Sequence, residues 1–242
     1  MDSLGLIAPV VLVGKQILQE ICYGKDWDEP IDGEVLANWE RWRSQLPLRK
    51  QLDIARKFKP LHFGRIVTAQ LHNMSDASQT GYGQCSYLRL VDENELNYEE
   101  LQDLYWTDSK VVLRFISNES PRFHVYVENR TQFIRDQTSP DQWRYAESEA
   151  NPADEGSRRV NAKDFIRKPQ WIRGPEFLWQ TEDHWPRRGS YENEIQESSP
   201  EVRKATTNTT VTEEYSSMVS RLERFWLGLL LHVEIIKNKS DR

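Results

Sequence analysis

Three aspartates stand where they could do metal chemistry. Asp108 lies in Asp103-Leu-Tyr-Trp-Thr-Asp-Ser-Lys-Val-Val-Leu113. The apolar run Leu104-Tyr105-Trp106 reads as a buried strand ending on a carboxylate, and a second apolar run opens at Val111. That pattern delivers an aspartate to the carboxyl edge of a sheet, with a helix behind it. Asp76, in Met74-Ser-Asp-Ala-Ser78, and Asp154, in Asn151-Pro-Ala-Asp154, have comparable surroundings. Phosphodiester hydrolysis by a two-metal site needs several carboxylates at one spot, holding two Mg²⁺ or Mn²⁺ ions about 3.5–4 Å apart. Aspartates on adjacent strands, plus one on a helix start facing the same edge, make such a cluster. Asp154 also has a plainer explanation. Asn151 suits an N-cap and Pro152 a first helical position, where the helix dipole favours a carboxylate by roughly 0.3–1 kcal/mol. Capping alone accounts for an aspartate there.

The elements that must position these groups follow from the patterning. Leu71–Asp76 is strand-like, and Gln84–Leu90 alternates, with Cys85, Tyr87 and Arg89 on one face and Leu88 and Leu90 on the other. Gly81-Tyr-Gly83 serves as the turn region between them, so 71–90 reads as an antiparallel pair. Residues 91–103 are acidic and polar. Beyond Asp108 a short helix is expected over Ser109–Ile116. Ser120-Pro121 is an N-cap signature opening a helix with the stripe Phe123, Val127, Arg130, Phe133, Ile134. Gln142–Ala146 reads as a short strand with Trp143 and Tyr145 on one face.

Upstream, Ile7–Ile21 is apolar and helix-compatible, closed by Trp27-Asp-Glu-Pro30. A second helix from about Asp32 places Leu36, Trp39, Trp42 and Leu46 on one face before Pro47 ends it. Arg49–Pro60 is a connector. From Lys163 the periodicity fades. Trp171, Gly174-Pro175, Phe177-Leu-Trp179 and Trp185-Pro186 suggest an extended linker anchored by aromatics. Residues 187–217 are rich in Ser, Thr, Asn and Glu and read as disordered. Met218–Ile236 is compatible with an amphipathic helix.

Composition limits the function classes. The 242 residues are enough for one good domain or two small ones, and 38% hydrophobic residues can build a core. A net charge of −6 argues against a nucleic-acid binder that is basic over its whole surface, though not against a local basic patch. Cys22 and Cys85 have no Cys or His at metal-ligand spacing, and read as reduced thiols of an intracellular protein, cytoplasmic or nuclear. The apolar stretch Leu4–Val13 has no basic region before it, and Phe225–Ile236 falls short of the ~20 residues a spanning helix needs. No membrane association is expected. Across 154–173, Arg158, Arg159, Lys163, Arg167, Lys168 and Arg173 outnumber the acidic groups, and Arg114, Arg122 and Arg130 can extend the patch. Such residues contact nucleic-acid phosphates, although a solvated basic face fits equally well.

Several motifs together resemble one known family. His72-Asn-Met-Ser-Asp-Ala-Ser-Gln-Thr-Gly-Tyr-Gly83, Tyr105-Trp-Thr-Asp-Ser-Lys-Val-Val-Leu113, Arg122-Phe-His-Val-Tyr-Val-Glu-Asn-Arg130, Pro140-Asp-Gln-Trp-Arg-Tyr145 and Asn151-Pro-Ala-Asp154 resemble the ribonuclease H region of BEL/Pao-type LTR retrotransposon polyproteins. Leu4-Gly-Leu-Ile-Ala-Pro9 and Trp27-Asp-Glu-Pro30 resemble the end of the preceding reverse transcriptase, and Gly174-Pro-Glu-Phe-Leu-Trp179 the segment after the ribonuclease H domain. The resemblance spans roughly residues 4–185. It implies an α/β, RNase H-like mixed sheet with flanking helices, a divalent cofactor (Mg²⁺ or Mn²⁺), an RNA–DNA hybrid as partner, and a larger polyprotein that also carries reverse transcriptase and integrase. Asp76, Asp108 and Asp154 match three of the family's four acidic metal ligands. The fourth is a Glu on a helix between the hairpin and the Asp108 strand. Here residues 91–103 alone fill that interval, so the resemblance implies that the third strand and first helix of the family are deleted. Glu100-Leu101-Gln102 imitates the lost motif only superficially.

The implied organisation is a helical remnant of the reverse transcriptase end at 1–68, a truncated RNase H-like domain at 69–162, the aromatic linker at 163–190, and a disordered segment with a C-terminal helix at 191–242. The chain can still pass from the hairpin beneath one strand to the Asp108 strand. That leaves the second strand at an edge and apolar side chains uncovered on the face without its helix. Two readings of function remain open. One is a metal-dependent ribonuclease acting on RNA in hybrids, impaired by loss of the second carboxylate. The other is a non-catalytic nucleic-acid-binding or decayed remnant.

Overall fold

The computed structural model describes residues 5–24, 28–54, 66–78, 81–92, 102–118, 125–168 and 170–187, with single positions 2, 26 and 64. Its centre is a four-stranded sheet. β1 (Ile66–Ala77) and β2 (Tyr82–Asp92) form the antiparallel hairpin. β3 (Gln102–Thr107) lies parallel to β1 on its other side, and β4 (Trp143–Tyr145) lies parallel to β3. The order is β2-β1-β3-β4, so the chain leaves β2 and passes β1 to reach β3, and β2 is an edge strand. This is the mixed sheet with flanking helices expected for an RNase H-like fold. Both hairpin strands are longer than the alternating pattern suggested.

The sheet buries apolar side chains on both faces, because Tyr105 and Trp106 point to opposite sides of β3. One face is covered by α3 (Lys110–Ser117) and α4 (Val125–Gln137). There Tyr105 and Trp143 stack with ring centroids 5.0 Å apart, in a cluster with Val112, Leu113, Ile116 and Ile134. Farther across the hairpin on this face, Leu88, the partner of Leu71, is 46% exposed. On the other face Met74 and its register partner Trp106 pack with Ala146, Ala153, Phe177 and Leu178. Trp106 is completely buried and donates its indole N–H to His72 Nδ1 at 3.0 Å. Burial, and then the nearby Arg89 charge, push the His72 imidazole down to about 3, so it stays neutral and can accept that bond.

The segment expected to run extended from residue 163 is instead a series of short helices. These are α6 (Ala162–Arg167), α7 (Gln170–Arg173) and 3₁₀ turns at Glu176–Trp179 and Glu182–His184. None is long enough to show helical period. Their aromatics hold them in place: Phe177 packs 4.7 Å from Trp106, and Trp185 meets both His72 and Trp106. The N-terminal helices α1 (Ala8–Gly24) and α2 (Gly33–Gln45) pack beside α6. Val10, Phe165 and Trp171 share a cluster, and Trp42 donates to the Val10 carbonyl at 2.8 Å. Leu36, Trp39, Trp42 and Leu46 are all half-buried, as a one-sided stripe requires.

The acidic linker 93–101, the helix start at 119–124 with Arg122, and residues 188–242 lie outside the described residues. The expectations of a disordered stretch and a C-terminal helix fall there. Among the described residues no helix is long and apolar enough to cross a membrane.

Candidate metal centre

Asp76 and Asp108 reach the same edge because their strands are parallel neighbours. The register pairs Ser75 with Thr107, so the next position on each strand carries a carboxylate. Residue parity puts both on the face that also carries Met74 and Trp106. Asp108 is held from both sides by its neighbours. Thr107 Oγ1 accepts from the Ser109 N–H at 3.1 Å, and Ser109 Oγ accepts from the Val112 N–H at 3.3 Å, capping α3. The short helix expected after Asp108 therefore starts at its own cap.

Asp154 arrives on α5 (Ala153–Ser157), a single turn that sits over the hairpin. Asn151 starts it: its side-chain oxygen accepts from the Ala153 N–H at 3.2 Å, while its amide donates to the Ser75 carbonyl at 3.0 Å. One buried side chain thus caps the turn and ties it to β1 beside Asp76. The close seating depends on Gly83, the register partner of Asp76. A Cβ at Gly83 would fall 2.0 Å from the Ala153 carbonyl oxygen and 2.7 Å from the Gly156 carbonyl carbon. Gly83 was expected in the turn region. It lies inside β2, where its missing side chain lets a second backbone approach. The turn itself closes through Ser78 and Gly81, and Ser78 Oγ donates to the Ser157 carbonyl at 2.7 Å.

The outcome is a group of three carboxylates, Asp76, Asp108 and Asp154, each with one oxygen within 4.8 Å of the others. Asp76 is buried and the other two half-buried. Two serines orient them: Ser157 Oγ donates to Asp76 and Ser148 Oγ to Asp108. Arg158 Nε lies 2.7 Å from Asp154 Oδ1, one turn along α5. Burial raises the Asp108 carboxyl above its ordinary range; the Ser148 hydrogen bond opposes this and the Asp76 charge adds to it. Asp154 is pushed up to about 6 by burial, against the pull of Arg158 and with the repulsion of Asp76 and Asp108. Next to it Glu155 is pushed up to about 7, mainly by burial. Carboxylates crowded this way favour a proton or a cation between them. Three oxygen donors on two strands and a capped turn suit a hard divalent ion.

Ser148 and Ser157 were not singled out from the sequence, and Gly83 only as a turn residue. Neither serine carries a local signal, because the partner of each, Asp76 for Ser157 and Asp108 for Ser148, comes from a strand far away in the chain. Of the arginines considered for nucleic acid, Arg158 and Arg159 follow α5 and are exposed, with Arg158 turned onto Asp154. Arg114 and Arg130 are half-buried on α3 and α4, the helices of the opposite face.

Residues 1–109 match the family model described as the Pao retrotransposon-like RNaseH-like domain, a stretch that includes both helices of the N-terminal segment, Asp76 and Asp108. No curated protein and no solved structure matches the chain.

Proposed function

We propose, from the match of residues 1–109 to the Pao retrotransposon-like RNaseH-like family model, that Asp76, Asp108 and Asp154 hold a divalent cation, Mg²⁺ or Mn²⁺, against the RNA strand of an RNA–DNA hybrid. The observation that carries this reading is the convergence of three carboxylates from β1, β3 and α5. When bound, such an ion lowers the pKa of a water ligand and neutralises charge on a phosphate oxygen. The chain's own groups do the rest. Ser157 and Ser148 fix the rotamers of Asp76 and Asp108, Asn151 fixes α5, and Arg158 and Arg159 lie where a phosphate backbone can reach them. The larger context is a BEL/Pao polyprotein, with α1 and α2 as the tail of a reverse transcriptase and an integrase in the same precursor.

Hydrolysis is severely reduced in this chain. Residues 91–103 stand where the resembled family carries the helix with its fourth acidic ligand, and three carboxylates would hold a second ion less well than four. Incubation of the full chain with labelled hybrid in Mg²⁺ and in Mn²⁺ tests the reading. Binding with at most slow cleavage, lost in Asp108→Asn, is expected. Rapid multiple turnover abolished by Asp108→Asn would overturn the impairment. Absence of any cation or hybrid binding would overturn the reading as a whole.

A further inference from the structure

Arg158 follows α5 directly, and its guanidinium folds back onto the first turn. Nε stands 2.7 Å from Asp154 Oδ1, while the side chain as a whole keeps 58% of its surface exposed. The contact has two sides. Inward, it places a positive charge on one member of a group of three carboxylates. Outward, the same side chain is exposed at that edge of the sheet.

We propose that Arg158 is a tethered counter-ion of the carboxylate group. It neutralises Asp154 while no divalent cation is present, yields that carboxylate when a cation binds, and then presents its guanidinium to a nucleic-acid phosphate. This rests on the reading that the three aspartates hold a divalent ion. The displacement follows from distance. Hard cations sit about 2.0–2.6 Å from carboxylate oxygens, and a guanidinium already 2.7 Å from one of them would be a few ångströms from a doubly positive centre. Like charges that close repel, and the arginine has room to move because more than half of its side chain is exposed. Once released, its planar fork matches a phosphate in geometry and charge. Arg159 is exposed, and Arg158 is the residue ion-paired to Asp154, so the role falls to Arg158. The coupling must be mutual: a residue that competes with the cation on Asp154, and helps the hybrid only when displaced, links the two ligands.

The experiment measures Mn²⁺ binding at pH 8 by calorimetry on the full chain, for wild type, Arg158→Gln, Arg158→Lys and Asp108→Asn. Hybrid binding is followed with and without Mn²⁺. Arg158→Gln is expected to bind Mn²⁺ roughly fivefold more tightly, the upper end for an exposed ion pair. It should lose hybrid affinity in Mn²⁺ and change much less without it. Arg158→Lys should stay close to wild type for Mn²⁺ and lose part of the hybrid affinity. Unchanged Mn²⁺ affinity in Arg158→Gln would overturn the proposal. So would an equal loss of hybrid binding with and without Mn²⁺, which marks an ordinary phosphate contact. If wild type and Asp108→Asn both fail to bind Mn²⁺, the cation reading itself falls and takes this one with it.

Discussion

Gly83→Ala is the sharpest test of how the carboxylates are brought together. Glycine inside a strand is ordinarily a weakness, and alanine there would add roughly 0.5–1 kcal/mol of stability if nothing stood in its way. Here the added methyl would lie 2.0 Å from Ala153 O and 2.7 Å from Ser157 N, where real Cβ atoms essentially never come under 3.0 Å. Both neighbours are backbone, so no side chain can swing aside. α5 must lift by about 1 Å, or β2 must bend away from β1. Overpacking of this kind costs about 1–3 kcal/mol. The lift also carries Asp154 away from Asp76, and loss of supporting geometry around a metal typically costs 10–100-fold in affinity. Urea unfolding followed by tryptophan fluorescence gives the first quantity and Mn²⁺ titration the second. Gly81→Ala is the control: its Cβ would meet Leu12 and the Ser157 carbonyl at 3.5–3.6 Å, ordinary contact, and should shift stability by less than about 0.5 kcal/mol. A Gly83→Ala protein at least as stable as wild type, with the same Mn²⁺ affinity, would refute the packing argument.

Further outcomes follow from the same site. Asp108→Asn should raise the metal-free unfolding free energy at pH 8, by up to about 1 kcal/mol, because it relieves repulsion in the group; a lower urea midpoint at unchanged slope would contradict this. Asp154 has its folded pKa raised to about 6 from an ordinary 3.8. The folded state therefore holds the extra proton between those values, and wild type loses stability relative to Asp154→Asn as pH rises from about 4 to 6. Urea midpoints of the two proteins at pH 4, 5, 6 and 8 measure the divergence, and parallel curves would refute it. Mn²⁺ affinity should weaken as pH falls through about 6, when the proton competes for Asp154. His72→Leu strands the indole N–H of the fully buried Trp106 and should cost about 1–3 kcal/mol in urea unfolding; a cost below about 0.5 kcal/mol would show that the bond contributes little.

The parts of the site that sequence reveals are those whose signal is local. A strand ending on Asp108, a short helix after it, and an Asn-Pro-Ala-Asp helix start each declare themselves within a few residues, and the structure brings the three carboxylates together. Sheet order follows only through the family resemblance, with residues 91–103 long enough for the step past β1. What stays hidden depends on partners far along the chain. Gly83 reads as a turn residue until α5 is seen against it. Ser148 and Ser157 are ordinary serines until Asp108 and Asp76 appear beside them. The short helices after residue 161 have no periodicity to detect, and their positions are set by Trp171, Phe177 and Trp185 finding the sheet.

The step from β2 past β1 to β3 also sets the order in which the molecule can assemble. The β1–β2 hairpin closes through a tight turn and is a local event. The β1–β3 pair must wait for the chain to cross over, and α5 must come back from much farther along to lie on Gly83. Non-local closures of this type are slow, because loop entropy is lost before contacts compensate. The three carboxylates therefore meet late, after most of the sheet exists. Contacts made that late weigh on the rate of unfolding more than on the rate of folding. A cation among Asp76, Asp108 and Asp154 would accordingly act as a latch, lengthening the lifetime of the folded chain while leaving the time it takes to fold nearly unchanged.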